Sequence, residues 1–370
     1  MKSTLSLAIF NYLRILARIQ LKKTGVLVVG VGGSSGKTSL STLVDLILSS
    51  RFRVKYSEGK NSQTGLPLMI LGLNVKKYSK SEWIKIILQA PLQVLFNWEK
   101  YDFLIAEMGI DGPLEPKNMS YLLKIVSPRI GVLTNISLEH SQNFDDSVKE
   151  KDFSKRKSKI LSLTAEQENL LLRSIPKSGY SIINLDDRLI RGSLPGICSN
   201  KITISSESRS SDFYLCSSDV DDRHTLIHFA HKDQHFHVNI NSALPRHYPL
   251  SILMAIAVAK AAGVEVKESI AIIESKFKLP PGRMSFFKGI KDSTIIDSSY
   301  NAMPLSVLDL LHFLKIISKK RRRVAIIGDM RELGSMSKIN HEEVARRILD
   351  NVDFAILIGP LMMQYAAPIL

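Results

Sequence analysis

The chain has only two cysteines, Cys198 and Cys216, in 370 residues. That excludes a disulfide-stapled scaffold and a CxxC metal site, and it fits a reducing compartment. Aromatic residues make up 7%, and the basic residues are not interleaved with them as base-stacking platforms would be. This argues against a nucleic-acid-binding ATPase. No internal repeat and no low-complexity tract is present. No apolar run reaches the roughly 20 uncharged residues that a bilayer span needs. Residues 83–98 come nearest, but Lys85 and Pro91 interrupt them, and the apolar N-terminus carries Arg14 and Arg18 with no small-residue cleavage site after it. Acidic residues are also in short supply. Lysine and arginine total 50 against 35 for aspartate and glutamate, a net charge of +15. Such an excess points to an anionic partner: a nucleotide, a phosphorylated substrate, nucleic acid or an anionic membrane surface.

The remaining composition, 45% apolar and 23% charged, is that of a folded globular protein, with length for two or three domains. Leu5, Ile9, Tyr12, Leu13, Leu16 and Ile19 recur at helical spacing with Arg14, Arg18, Lys22 and Lys23 between them. The pattern predicts an amphipathic helix packed on the body of the protein, or else one lying on anionic lipid. Residues 26–31 form a short valine-rich run that reads as a buried strand. A Gly/Ser turn follows, and then a helix with Leu40, Leu43, Val44 and Ile47 on one face. Residues 103–106 and 130–133 read as further parallel strands, each ending in polar residues: Glu107, and Thr134 with Asn135. Ligands of open α/β sheets bind at that carboxyl edge.

From about residue 181 to 240 the texture changes to short alternating runs (201–205, 225–229, 235–240), read as antiparallel strands of an insertion. Residues 250–262 are helical again. The Pro280-Pro281-Gly282 breaker marks a domain boundary. Beyond it, residues 294–296, 324–327 and 354–358 read as three buried strands of a second α/β domain.

The segment Gly33-Ser34-Ser35-Gly36-Lys37-Thr38-Ser39, between a strand and a helix, has the makings of a phosphate loop. Glycines let backbone amides approach phosphate oxygens, and the helix N-terminus favours an anion there. The lysine reaches the β and γ oxygens while the threonine hydroxyl ligates Mg²⁺. Val31 stands where the longer GxxxxGK[ST] spacing needs glycine, so the loop is a shorter variant.

With the segments that follow it in order, this loop resembles the Mur ligase family. The likeness is to the branch that adds D-Ala-D-Ala to UDP-N-acetylmuramoyl-tripeptide. The resemblance runs from about residue 25 to 360. It is carried by the loop, by residues 61–67 (NSQTGLP), Glu107-Met108-Gly109, residues 134–140 (TNISLEH), Arg156-Lys157 through Ile160, and Asn184-Leu185-Asp186-Asp187. Further on come Pro281-Gly282-Arg283, residues 297–304 (DSSYNAMP) and residues 328–334 (GDMRELG).

The resemblance implies an α/β fold. Its first part is a P-loop ATPase domain on a mostly parallel sheet; its second is a C-terminal Rossmann-like α/β domain, here partial. The boundaries expected are 1–24 for the N-terminal helix, 25–283 for the central domain and 284–370 for the C-terminal domain. The implied activity is ATP-dependent amide ligation through an acyl phosphate, with ATP and Mg²⁺ as cofactors.

By the same resemblance Gly33, Ser34, Ser35, Gly36, Lys37, Thr38 and Ser39 hold the phosphates. Thr38, Glu107 and His140 serve Mg²⁺, and Lys157, as a carbamate, a second Mg²⁺. Arg283 grips the γ-phosphate, Asp297 the ribose, and Tyr300 and Asn301 flank the nucleotide. Lys37, Glu107, His140, Lys157 and Arg283 form the catalytic set, and Asp329 and Glu332 face the substrate side. The implied partners are a nucleotide-sugar peptide and a dipeptide, with no nucleic acid. A monomer in the cytoplasm is expected, with weak membrane-surface contact through residues 1–23 as the alternative to packing of that helix on the body.

Four departures stand out. Only about 25 residues precede the phosphate-loop strand, so the family's N-terminal UDP-sugar domain is expected to be absent. Tyr248 and Ser251 replace two family asparagines, one of which would contact adenine. Ser298 replaces an aspartate, and Met303 an asparagine. They leave open a ligase for another carboxylate and amine, or a non-catalytic descendant.

Overall fold

The structure is a computed structural model. It describes every residue except 1, 76–78, 139–141, 280–281, 301 and 319–320, with side chains from residue 5 onward. His140 and Asn301 therefore lie outside the described residues.

Helix α1 (Lys2–Thr24) leads into β1 (Leu27–Gly32), the phosphate-loop turn and α2 (Lys37–Leu48). Then come β2 (Val54–Tyr56), α3 (Gly65–Ile70), α4 (Lys80–Phe96), β3 (Phe103–Glu107), α5 (Met119–Ile125), β4 (Ile130–Leu133) and α6 (Gln142–Asp145). The long α7 (Phe153–Ser174) precedes β5 (Tyr180–Asn184), α8 (Arg188–Arg191), β6 (Asn200–Ser205), β7 (Phe213–Val220), β8 (Thr225–His231) and β9 (Gln234–Ile240). Helices α9 (Tyr248–Ala261) and α10 (Val266–Lys276) complete the central domain.

Among the described residues, nine strands form one sheet in the order β2-β3-β1-β4-β5-β6-β7-β8-β9. Pairing is parallel from β2 to β7 and antiparallel from β7 to β9. The strands at residues 200–240 are thus no separate insertion. They extend the central sheet, and β6 still pairs parallel on both sides. Of these strands β8 alternates buried with half-buried residues, and the later part of β9 alternates buried with exposed ones.

Both faces of the parallel part are covered. Leu40, Leu43, Val44 and Ile47 of α2 pack with α9 on one side. The α9 helix is buried almost all round, from Ile252 to Ala259, as a helix enclosed by its neighbours must be. On the other side α1, α3, α4, α5 and α7 share a second core.

The C-terminal domain contains the hairpin of β10 (Ser285–Lys288) and β11 (Thr294–Asp297), α11 (Pro304–Ser318), β12 (Val324–Gly328), α12 (Ser337–Asn351) and β13 (Phe354–Ile358). The reading of three buried strands here is corrected in two ways. The residue 294–296 strand pairs antiparallel with β10, apart from β12 and β13, which pair parallel with each other. None of the three is buried on both faces. Ile326 is 66% exposed and Ile358 55%, because α11 and α12 pack a core with Ile327 on one face and, among the described residues, no layer covers the other.

Candidate active site

The phosphate loop hangs between the carboxyl ends of β1 and β4. Gly33 has φ 113° and Gly36 φ 78°, values at which a Cβ is strained. A Cβ on Gly33 would also lie 2.1 Å from Thr134 Oγ1. The residues after β4 brace the loop. Asn135 O accepts the Ser34 amide at 2.8 Å, and Asn135 Oδ1 the Ser35 amide at 3.2 Å. Thr134 Oγ1 donates to Ser35 O at 2.6 Å. This brace is itself held by Asn184, whose Nδ2 donates to Thr134 O at 2.8 Å, and by Asp187, whose Oδ2 accepts the Ile136 amide at 2.7 Å.

Lys37 lies folded over its own loop, Nζ donating to Gly33 O at 2.5 Å and Ser34 O at 2.8 Å. Thr38 Oγ1 donates to Glu107 Oε2 at 3.1 Å, and Tyr56 Oη donates to Glu107 Oε1 at 2.5 Å. The Glu107 amide donates to Ser57 Oγ at 2.9 Å. Burial, then the Glu107 carboxylate, pushes the Tyr56 hydroxyl well above its ordinary value. Thr38 and the buried Glu107 therefore present an all-oxygen pair beside the loop, the donor set a hard Mg²⁺ prefers.

Across the cleft, Tyr300 N–H donates to Gly282 O at 3.1 Å, and the Arg283 guanidinium lies 4.1 Å over the Tyr300 ring. His247 Nδ1 and Asp309 Oδ2 meet at 3.3 Å. These two walls enclose a cavity of about 320 Å³. Residues 34–39, Asn61 and Glu107 line one side; Arg283, Ser298, Tyr300 and Met303 line the other. Asp297, at the end of β11, adjoins this wall without lining it. Its carboxylate accepts the Ser299 amide at 2.9 Å, and that contact with Ser299 lowers its pKa.

Other predicted residues lie elsewhere. Lys157 is exposed near the start of α7 and does not line the cavity. Asp329 Oδ1 accepts the Met362 amide at 2.8 Å, a bond within the C-terminal domain. Glu332, at φ 61°, uses its carbonyl to accept the Gln142 amide at 3.2 Å. A domain junction thus forms there. Asp145 supports it, accepting both the amide and hydroxyl of Ser335 at 2.8 Å while Arg156 Nε bonds its Oδ1 at 2.5 Å.

Motif reading missed Glu168. It stands on the buried stripe of α7 with Ile160, Thr164 and Leu171, and its Oε2 accepts the Gly33 amide at 2.9 Å. Burial raises its carboxyl to about 7, against the opposing pull of Lys37 and the Gly33 amide. An acid on the apolar stripe of an amphipathic helix was the available signal. Among the described residues no group of three or more His, Cys, Asp or Glu side chains could hold a metal ion.

Residues 31–259 match the Mur ligase middle domain, and residues 282–369 match the Mur ligase glutamate ligase domain. The UDP-N-acetylmuramoyl-tripeptide–D-alanyl-D-alanine ligase of Bacillus subtilis is 24% identical over 350 residues, covering 94% of this chain and 65% of that protein. The Escherichia coli enzyme of the same name is 25% identical over 320 residues, covering 86% of this chain and 61% of that protein. The chain thus spans less than two thirds of the length of these relatives. The fold is shared with MurF from Acinetobacter baumannii (TM-score 0.76, 19% identity, 96% of this chain and 69% of that one). It is shared too with MurF from Thermotoga maritima in complex with ADP (TM-score 0.74, 23% identity, 96% and 72%). With a phosphate loop on a mostly parallel sheet facing a second α/β domain across one cavity, and with matches over both, the chain belongs to the Mur ligase family.

Proposed function

We propose that the chain is an ATP-dependent amide ligase of peptidoglycan precursor synthesis, joining D-Ala-D-Ala to UDP-N-acetylmuramoyl-tripeptide. The observation that carries this reading is the single cavity shared by Lys37, Thr38 and Glu107 of the central domain and Arg283 and Tyr300 of the other. The names of the relatives supply the substrate class. In this reading the domains divide at 25–283 and 284–370.

A substrate carboxylate attacks the γ-phosphorus of ATP, the bond to the β-phosphate oxygen breaks, and ADP leaves. The amine nitrogen then attacks the acyl carbon of the acyl phosphate. The C–O bond to phosphate breaks and the amine proton is lost to solvent. Amides of residues 33–39 cradle the phosphates, and Lys37 and Arg283 offset charge as it moves. Thr38 and Glu107, with His140 as a further ligand by family likeness, would hold Mg²⁺, which would supply Lewis-acid neutralisation of phosphate oxygens; Lys157, a second-ion ligand by likeness, lies outside the cavity wall. Asp297, Tyr300 and Asn301 complete the nucleotide site. Closure of the domain bearing Arg283 excludes water from the acyl phosphate.

The chain works as a cytoplasmic monomer without nucleic acid, and residues 1–23 contact an anionic membrane surface. Among the described residues no helix is long and apolar enough to cross a membrane.

The test is phosphate release from Mg-ATP with the tripeptide nucleotide and the dipeptide each omitted in turn. Release that needs both, with a pentapeptide product by mass spectrometry, is expected. ATP binding with no release in the presence of both overturns the substrate assignment.

A further inference from the structure

Helices α1 and α4 lie side by side on one core. Tyr12 Oη donates to Ile87 O at 3.0 Å, Gln20 Nε2 to Asn97 O at 2.8 Å, and Lys23 Nζ to Val94 O at 2.6 Å. Leu13, Ala17 and Leu21 of α1 and Ile86 and Ala90 of α4 point into that shared core. The opposite side of each helix is apolar as well. On α4, Ile84, Leu88, Leu92, Leu95 and Phe96 are each 51–75% exposed, and Trp98 just beyond is 65% exposed. At 3.6 residues per turn the five helical residues fall within an arc of about 120°. On α1, Leu5, Ile15 and Ile19 are 46–67% exposed and fall within about 80°. Because each arc is opposite its helix's own buried residues, the neighbouring helices turn both arcs outward together.

Around these arcs the charge is mainly positive, with Glu82 and, just after Trp98, Glu99 as the acids. The α1 sequence contains Lys2, Arg14, Arg18, Lys22 and Lys23 and no acid; α4 contains Lys80 and Lys85 against Glu82 alone. Lys23 also sits 4.0 Å over the Trp98 ring. The excess of Arg14, Arg18, Lys22 and Lys85 over the two acids favours an anionic partner. An apolar face with basic residues and a tryptophan at its end is the chemistry of an anionic lipid interface.

We infer that the paired outer face of α1 and α4 is a docking surface for an anionic phospholipid bilayer. The long helix lies in the interfacial plane, its apolar arc is extended by α4 and Trp98, and the arginines and lysines meet lipid phosphates. The site is distinct from the nucleotide cavity, which none of these residues lines, so it stands or falls apart from the ligase reading.

The test is flotation of the full chain with vesicles of phosphatidylcholine alone and of phosphatidylcholine with an equal amount of phosphatidylglycerol. The chain is expected to float with the anionic vesicles only and to be released by high salt. Its tryptophan emission should shift to the blue on binding, and Trp98→Phe should abolish most of that shift, leaving Trp83 as reporter. Two variants remove the two halves of the argument: Leu88→Ser with Leu92→Ser and Phe96→Ser, and Arg18→Glu with Lys22→Glu and Lys85→Glu. All six positions are exposed. Each variant should lower vesicle partition by roughly tenfold or more while ATP binding and the thermal melt stay at wild-type values. Failure to float with either vesicle overturns the inference. So does undiminished flotation of a charge-reversed chain, or a wild-type dimer that the serine variant converts to monomer, which would assign the face to a second copy.

Discussion

Glu168 Oε2 accepts the Gly33 amide at 2.9 Å from a position only 2% exposed, so a carboxyl group sits beneath the phosphate loop inside the core. Its burial raises the carboxyl from 4.5 to about 7. The native protein then holds a proton that the unfolded chain has released, and stability falls as pH rises through that window and levels off above it. Glu168→Gln keeps an acceptor for Gly33 and removes the ionisation. Urea unfolding should give a declining stability for the wild type from 4.5 to about 7 and a flatter one for the variant. The difference grows to as much as roughly 3 kcal/mol. Parallel curves would mean that Glu168 does not titrate in this window.

Gly33→Ala tests the tightest point of the loop. The φ of 113° and the 2.1 Å approach to Thr134 Oγ1 both oppose a Cβ. The loss should be about 2–4 kcal/mol in unfolding free energy. Gly59→Ala, at positive φ but with nothing within 4 Å, should cost less. Equal losses would show that the clash is relieved by movement of Thr134.

Lys37→Ala and Glu107→Gln separate phosphate binding from metal binding. The first removes a charge-assisted donor and should weaken ATP by roughly 10–100-fold with or without Mg²⁺. The second keeps the shape but has one amide oxygen for the two hydroxyls, Tyr56 and Thr38, that now donate to separate oxygens; it should weaken Mg-ATP while leaving metal-free ATP nearly unchanged. Calorimetric titration in Mg²⁺ and in chelator reads both. A Glu107→Gln loss that is the same in chelator argues against a metal role.

Arg283→Lys keeps the positive charge but loses the planar fork and the stack on Tyr300. Under the ligase reading, phosphate release should fall by about 100-fold in kcat, with a smaller change in KM for ATP. A pure KM effect would assign Arg283 to ground-state binding.

Asp145 tests the junction between domains. Burial alone would raise its carboxyl, but Arg156 and Ser335 outweigh this and hold it below 3.8. Its stabilising contribution is therefore complete above 3.8 and is lost as pH falls through the lower folded value. Asp145→Ala should cost roughly 1–3 kcal/mol at neutral pH, and limited proteolysis should cut more readily between the domains.

The parallel strands were legible because residues buried on both faces leave continuous apolar runs, as at 130–133, which became β4 without change. The phosphate-loop turn was legible from glycine and lysine spacing; that Lys37, Thr38, Glu107, Arg283 and Tyr300 line one cavity was not, since no local spacing relates residues so far apart, and only the family resemblance grouped them. The pairing of β6 and β7 was not legible: local alternation says whether a strand has one wet face, not which neighbour it takes. β10 was missed because a four-residue strand after a Pro-Pro-Gly breaker carries little pattern. Glu168 escaped because its partner is a backbone amide 135 residues earlier, a relation no local spacing encodes. Lys157 was placed by likeness to a motif, and its exposed position leaves it outside the cavity wall.

Lys37 remains the feature with the widest consequence. Its ammonium donates to the Gly33 and Ser34 carbonyls, so the side chain is held against its own loop. An entering triphosphate must exchange those two bonds for its own. Under the ligase reading, the net gain from a phosphate at Lys37 is therefore smaller than a free ammonium would give.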